Sequence, residues 1–161
     1  MTATPPTIHL REVTDANRAD VTALRVSPAQ TRFVGTVDGA LEDAAEYPIA
    51  APWFRAVYDG ETPVGFVMLS WDVTPVPGKI IGPWFLWKLL VDERFQGRGY
   101  GTATLRAIVD TIGAEGATEL LTSYVPGEGG PWPFYQRFGF APTGELDEEG
   151  EIILRLPISP G

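Results

Sequence analysis

The chain has 161 residues, 44% of them apolar and 20% charged, a composition that fits one compact soluble domain and excludes a disordered chain. Twenty-one acidic residues against twelve basic ones give a net charge of −9, which argues against a nucleic-acid binder that works by neutralising phosphates. With no cysteine and a single histidine, His9, the parts for a disulfide framework, a thiolate nucleophile, a zinc ribbon or a Ser-His-Asp triad are missing, and no metal site is expected.

Residues 8–13 alternate as a short strand, and Thr14-Asp15-Ala16-Asn17 supplies capping oxygens before Val21 and Leu24 at helical spacing. A second helix is predicted from about Thr36, with Val37, Leu41, Ala44 and Ala45 on one face and Asp38, Glu42, Asp43 and Glu46 largely on the other. Residues 53–58 and 63–71 read as a hairpin about Asp59-Gly60, and 84–91 as an apolar central strand. A glycine loop then leads into a helix over 102–112. A strand at 119–125, a loop at 126–131, a short helix at 132–138 stopped by Gly139 and a terminal strand pair within 140–157 complete the order. The whole is mixed α/β in one domain over 1–161, with residues 1–7 expected to be flexible. The apolar run 80–87 is too short to span a bilayer, and the amino terminus lacks a basic region followed by an apolar core, so a cytoplasmic location with no membrane partner is expected.

Gly97, Gly99 and Gly101 alternate between an apolar strand and a helix, leaving backbone N–H groups to converge at the positive end of the helix dipole. Lys88, Arg94, Arg98 and Arg106 against Asp92 and Glu93 make this stretch a local +2 in an acidic chain. It is an anion cradle. It is not a dinucleotide fingerprint, because Thr102 or Thr104 stands where the third glycine belongs, nor a P-loop, because Gly-Lys-Ser/Thr is absent.

The spacing Gln96-x-x-Gly99-x-Gly101 after Leu89-Leu90-Val91-Asp92 resembles the pyrophosphate loop of the GCN5-related N-acetyltransferase superfamily. The segment Phe134-Tyr135-Gln136-Arg137-Phe138-Gly139-Phe140 resembles that family's short helix and following strand. Phe33-Val34 with Thr62-Pro63-Val64-Gly65-Phe66-Val67-Met68 is similar to its spermidine/spermine acetyltransferase branch. The resemblance implies a central, mostly antiparallel sheet flanked by about four helices and splayed where acetyl-CoA enters, between 89–91 and 121–123.

By the same resemblance, main-chain groups of Leu90 and Val91 hold the pantetheine arm, and the Leu90 N–H stabilises the oxyanion. The pyrophosphate lies on the amides of Arg98, Gly99, Tyr100, Gly101 and Thr102, beside Gly97, with Gln96 and Arg94 nearby. Tyr135 protonates the departing thiolate. The family often places an asparagine in the loop corresponding to 126–133; none is present here, and Ser123 is expected to substitute.

Residues 36–61 carry six acidic side chains, Asp38, Glu42, Asp43, Glu46, Asp59 and Glu61, against Arg55 alone, so a cationic amine is expected as acceptor. Glu42, Glu46, Asp72 and Trp87 are the candidate acceptor contacts, and Trp53, Tyr58, Trp71 and Trp84 are further ring faces for an alkylammonium group. No general base stands out among Asp72, Glu42, Asp43 and Glu46; His9 reads as a strand residue, and Glu145 to Glu151 as a solvated hairpin tip. The expected activity is acetyl transfer from acetyl-CoA to a small primary amine such as a polyamine, in a homodimer. The alternatives are a non-catalytic coenzyme A-binding module, or transfer to an antibiotic or a protein amine.

Overall fold

A computed structural model describes residues 6–159. Among these, seven strands and four α-helices follow the order read from the sequence: β1 (His9–Arg11), α1 (Arg18–Thr22), α2 (Val37–Glu46), β2 (Pro52–Asp59), β3 (Thr62–Ser70), β4 (Phe85–Val91), α3 (Tyr100–Ala114), β5 (Glu119–Tyr124), α4 (Trp132–Phe138), β6 (Ala141–Leu146) and β7 (Ile152–Pro157). Single 3-10 turns at Pro28–Gln30, Pro48–Ala50 and Glu93–Phe95 are additions that apolar periodicity does not signal. Residues 1–5 of the segment expected to be flexible lie outside the described residues; Pro6 packs beside Gly99. No described helix is long and apolar enough to cross a membrane.

Local chemistry accounts for the boundaries. The Thr36 hydroxyl accepts the Gly39 N–H at 3.0 Å and caps α2. Asn17 works backwards instead of capping α1: its Oδ1 accepts the Thr14 N–H at 2.7 Å and its amide donates to the Glu12 carbonyl. The β2–β3 turn is one residue later than Asp59-Gly60 suggests. Asp59 pairs with Thr62 as the last strand residue, and Gly60, at φ 61°, opens a Gly60-Glu61 turn that twists with the strands.

The strands form one sheet in the order β1-β2-β3-β4-β5-β7-β6, every neighbour antiparallel except β4 and β5. That parallel pair is short: only Phe85 with Leu121 and Leu86 with Thr122 are in register. Beyond them the strands separate. Leu121 and Thr122 therefore lie on the paired side of the opening, which the resemblance placed one step earlier; the gap itself lies between Trp87–Val91 and Ser123–Tyr124.

Two apolar layers sandwich the sheet. One holds Leu105, Ile108 and Ile112 of α3 with Tyr135 of α4, against Leu86, Leu120 and Leu154. The other holds Val21, Val37, Ala40 and Leu41 of α1 and α2 against Phe66, Met68 and Leu90. β4 reaches both layers through a bulge: Met68 pairs with Lys88 but Leu69 with Leu86, leaving Trp87 as an extra residue. Leu86 and Leu90, four residues apart, consequently enter opposite layers.

Candidate active site

The gap between β4 and β5 is floored by backbone and roofed by α4. The Asp92 N–H donates to the Val64 carbonyl at 2.9 Å, which makes Val64 and Asp92 a hydrogen-bonded pair of the β3–β4 ladder. Alternation then makes Phe66 and Leu90 the next such pair, so both main-chain groups of Leu90 turn toward β3. The main-chain groups of Leu89 and Val91 turn the other way, into the gap. The Val91 carbonyl shows this directly, since it accepts the Gln96 side-chain amide at 2.9 Å on that side. Leu90 is thus corrected: its amide is consumed by the ladder and its side chain is buried under α1 and α2, because a strand offers only alternate residues to each neighbour. Leu89 and Val91 line a cleft of about 250 Å³ together with Gln96, Gly101, Phe134 and Tyr135. The segment before α2 closes its outer side, where Phe33 lies against Gly130 and Arg32 donates to the Glu128 carbonyl at 3.0 Å.

The glycine loop lies at the mouth of this cleft. Gly97 and Gly99 have φ of 75° and 88°, values that an L side chain resists. Their turn delivers the chain into α3, whose first ladder bond is Ala103 N–H to the Gly99 carbonyl at 3.0 Å. The amides of Tyr100, Gly101 and Thr102 precede that bond and have no helical acceptor, and no side chain caps the helix. Among the described residues, none of the amides from Gly97 to Thr102 has a backbone partner. Arg94 and Arg98 flank the loop over the Phe95 ring, 5.2 and 5.8 Å from its centre. Gly101 has helical dihedrals and is needed for close approach, because a Cβ there would stand 3.2 Å from the Phe134 ring. The Tyr100 side chain is not part of the cradle: its phenol donates to the Asp59 carboxylate, which holds it above its usual pKa.

Asp92 anchors the loop from beneath. Its buried carboxylate accepts the Arg25 N–H at 2.9 Å, the Arg94 N–H at 3.0 Å and the Arg94 Nε–H at 2.8 Å. Burial pushes this carboxyl up, but the Arg94 guanidinium and the two amides outweigh it and hold it below the usual carboxylate range. A depressed folded pKa stabilises the fold fully above the ordinary Asp value, and that contribution disappears as pH falls through the lower folded value. Asp92→Ala is expected to cost about 2 kcal/mol by leaving the Arg25 and Arg94 amides without an acceptor, while the Arg94 side chain, 66% exposed, turns to water. Thermal melts at neutral pH should show the loss, and the gap between wild type and variant should close in strong acid.

Tyr135 forms the inner wall of the cleft. Pro131 precedes α4, Pro133 sits in its first turn and Gly139, at φ 125°, ends it, with the Gly139 and Phe140 amides returning to the Tyr135 carbonyl at 3.1 and 3.0 Å. Phe134 and Phe140 pack on the ring at centroid distances of 5.5 and 5.3 Å. Burial pushes the phenol up to about 12; the Thr122 hydroxyl opposes that shift and the Glu151 carboxylate adds to it. The phenol is therefore a proton donor throughout the neutral range. Ser123 faces away from Tyr135 and donates its hydroxyl to Glu151 at 3.4 Å. Burial raises the Glu151 carboxyl above its usual value, the charges of Asp147 and Glu149 add to this, and Ser123 opposes it. The tip itself is exposed at 148–150, as a solvated hairpin end should be, whereas Glu151 at its base is half-buried; nothing in the local pattern of acidic residues separates Glu151 from its neighbours.

The acceptor residues expected from charge do not gather at the cleft. Glu42 and Glu46 point to solvent from the outer face of α2, and Asp72, at φ 47°, is exposed beyond β3. Trp87 packs in the layer under α2 with its Nε1–H on the Ser70 hydroxyl at 2.6 Å. Trp71 packs on Trp53 in a tilted arrangement at 5.1 Å and edge-to-face on Trp84 at 4.9 Å. The rings of Tyr58 and Trp53 are covered by the guanidinium groups of Arg11 and Arg55. Asp59 and Glu61 lie at the cradle end of the sheet, held by Tyr100 and by Arg11, whose salt bridge to Glu61 is 3.2 Å.

A splayed strand pair with an uncapped glycine-loop helix at its mouth agrees with the comparisons. The acetyltransferase (GNAT) family model matches residues 20–140, and the chain belongs to that family. It is an acetyl-CoA-dependent N-acetyltransferase. It is 33% identical over 153 residues to the spermine/spermidine N(1)-acetyltransferase of Bacillus subtilis strain 168, covering 91% of this chain and 96% of the relative. In structure it is similar to an acetyltransferase from Thermus thermophilus, with a TM-score of 0.69, 20% identity and coverage of 94% of this chain and 97% of the other. It is also similar to the PaiA N-acetyltransferase from Thermoplasma acidophilum in complex with coenzyme A, with a TM-score of 0.64, 14% identity and coverage of 94% and 99%.

Proposed function

We propose that the protein moves the acetyl group of acetyl-CoA to a primary amine of a small polycation of the polyamine class. The observation that carries this reading is the opening between β4 and β5, with outward main-chain groups of Leu89 and Val91 on one side and the buried Tyr135 phenol at its inner end. Pantetheine is an amide chain and bonds those main-chain groups as an added strand would. The pyrophosphate rests on the amides from Arg98 to Thr102, with Arg94, Gln96 and Gly97 beside them, and the helix dipole favours its charge.

The amine nitrogen attacks the thioester carbonyl, and the carbonyl electron pair moves to oxygen. The Leu89 N–H, the outward-facing amide deepest in the opening, holds that oxyanion. Collapse of the tetrahedral intermediate breaks the C–S bond, and Tyr135 protonates the thiolate. The 33% identical polyamine acetyltransferase and the chain's negative charge support a polycation as acceptor. The cosubstrate is an intracellular metabolite, which supports a cytoplasmic location. The fully exposed edge strand β6, with Leu146 64% exposed, supports pairing of two copies.

Acetyl-CoA turnover followed by thiol release should show activity with spermidine and spermine above that with aminoglycosides or peptides. Stabilisation by acetyl-CoA with no turnover of any amine would instead establish a cofactor-binding module.

A further inference from the structure

The proposed reaction needs a proton acceptor, because an alkylammonium group has no lone pair. Among the described residues, no carboxylate, Glu151 included, lines the 250 Å³ cleft itself, and Glu42, Glu46 and Asp72 are exposed on elements that do not border the β4–β5 opening. Strand alternation locates a different carboxylate. On β5, Leu120 and Thr122 face the layer that contains Tyr135, so Leu121 and Ser123 face the other side of the sheet. Ser123 pairs with Ile153 on β7, and Glu151, two residues before Ile153, shares that second face. The Ser123–Glu151 hydrogen bond at 3.4 Å joins the two across strands.

Just beyond the last β4–β5 pair, therefore, the phenol of Tyr135 lies on one face of the sheet, and on the other lies the carboxylate of Glu151, which precedes β7 and is bonded to Ser123 on the β5 rim of the opening. They are near enough for the Glu151 charge to oppose ionisation of the phenol. No arginine or lysine pairs with Glu151 in the described structure. The nearest basic residue along its strand face, Arg155, is engaged with Glu119 at 3.3 Å. Asp147 holds the turn, accepting the Glu149 and Glu151 amides at 2.9 Å each. The segment between β3 and β4 reaches toward the same turn, where a Cβ on Gly78 would lie 3.9 Å from Glu148.

We propose that Glu151, oriented by Ser123, is the base that takes the proton from the acceptor ammonium on the face of the opening opposite Tyr135. This rests on the polyamine reading above. The ammonium N–H bond breaks and its proton goes to the Glu151 carboxylate; the freed lone pair forms the C–N bond. The amine loses its second proton after attack; that proton and the one on Glu151 leave to solvent, and Tyr135, having given its proton to sulfur, is reprotonated from solvent. Acid and base thus operate from opposite faces of one gap, and neither has to cross the cofactor.

The test compares wild type with Glu151→Gln and Glu151→Asp, using spermidine and an alkoxyamine analogue that is already neutral at neutral pH. With spermidine, Glu151→Gln should lower kcat on the order of 10²-fold while acetyl-CoA affinity is unchanged, and Glu151→Asp should recover part of the rate. With the alkoxyamine, Glu151→Gln should keep most of the wild-type rate. Unchanged kcat with a raised KM for spermidine, or an equal loss on both amines, overturns the role. If Glu151→Gln does not fold, wild type alone decides: an acid limb in kcat seen with spermidine and absent with the alkoxyamine supports the proposal, and the same limb with both overturns it. Absence of wild-type turnover on any polyamine would overturn the polyamine reading and this role with it, whereas an active wild type with an unaffected variant overturns Glu151 alone.

Discussion

Tyr135→Phe is expected to lower kcat on the order of 10²-fold and to leave acetyl-CoA affinity near the wild-type value. The ring would keep its contacts with Phe134 and Phe140, so the variant isolates the hydroxyl. Without it, the thiolate must leave unprotonated or find water in a site walled by apolar side chains. The raised pKa, about 12, sets a second expectation. The wild-type rate should show no alkaline limb from Tyr135 within the neutral and mildly basic range, because the group that must stay protonated does so. Single-turnover kinetics would separate this step from product release, and a rate within a few-fold of wild type would leave the residue as packing alone.

Gly101→Val should remove acetyl-CoA binding from a protein that still folds. Gly101 lies within α3 at helical dihedrals, so the backbone tolerates a side chain at a modest change in helix propensity. The cleft does not: a Cβ would stand 3.2 Å from the Phe134 ring and 3.9 Å from Val91 Cγ2, and the two methyl groups would extend into the cleft those residues line. A ligand at a hundred times its Kd stabilises the folded state by about 2.7 kcal/mol, an upward shift of several degrees in Tm. Wild type should show that shift with acetyl-CoA and Gly101→Val should not, while the unliganded melts stay within a few degrees of each other. A preserved shift would place the pantetheine elsewhere.

The order of the strands and helices was legible because each element carries a local signature, such as the Thr36 cap, the positive-φ glycine at 60 and the Pro133-to-Gly139 frame of α4. The glycine cradle was legible for the same reason, as its glycines and its helix are contiguous. Leu90 was misplaced because the direction of a main-chain amide is a property of a ladder, and Leu90 looks no different from Leu89 in sequence. Glu151 does not stand out from its acidic neighbours in sequence because the hydroxyl it accepts from, that of Ser123, lies on another strand. The tryptophans and Asp59 were assigned to the acceptor on charge and type, but ring packing, Arg11, Arg55 and Tyr100 had already claimed them in the fold.

The extra residue in β4 acts as a phase shift. Before Trp87 the strand is in step with Leu69 and Ser70; after it, every position is displaced by one relative to β3. The alternation that turns the main-chain groups of Leu89 and Val91 into the gap and buries Leu90 is fixed by that count. Deleting one residue at position 87 would exchange the two sets while leaving the Gln96-to-Gly101 motif, Tyr135 and Glu151 intact. The chemistry of this fold therefore depends on how many residues separate the parallel bridge from the glycine loop, a quantity that substitution of any single side chain leaves untouched and that one insertion or deletion resets.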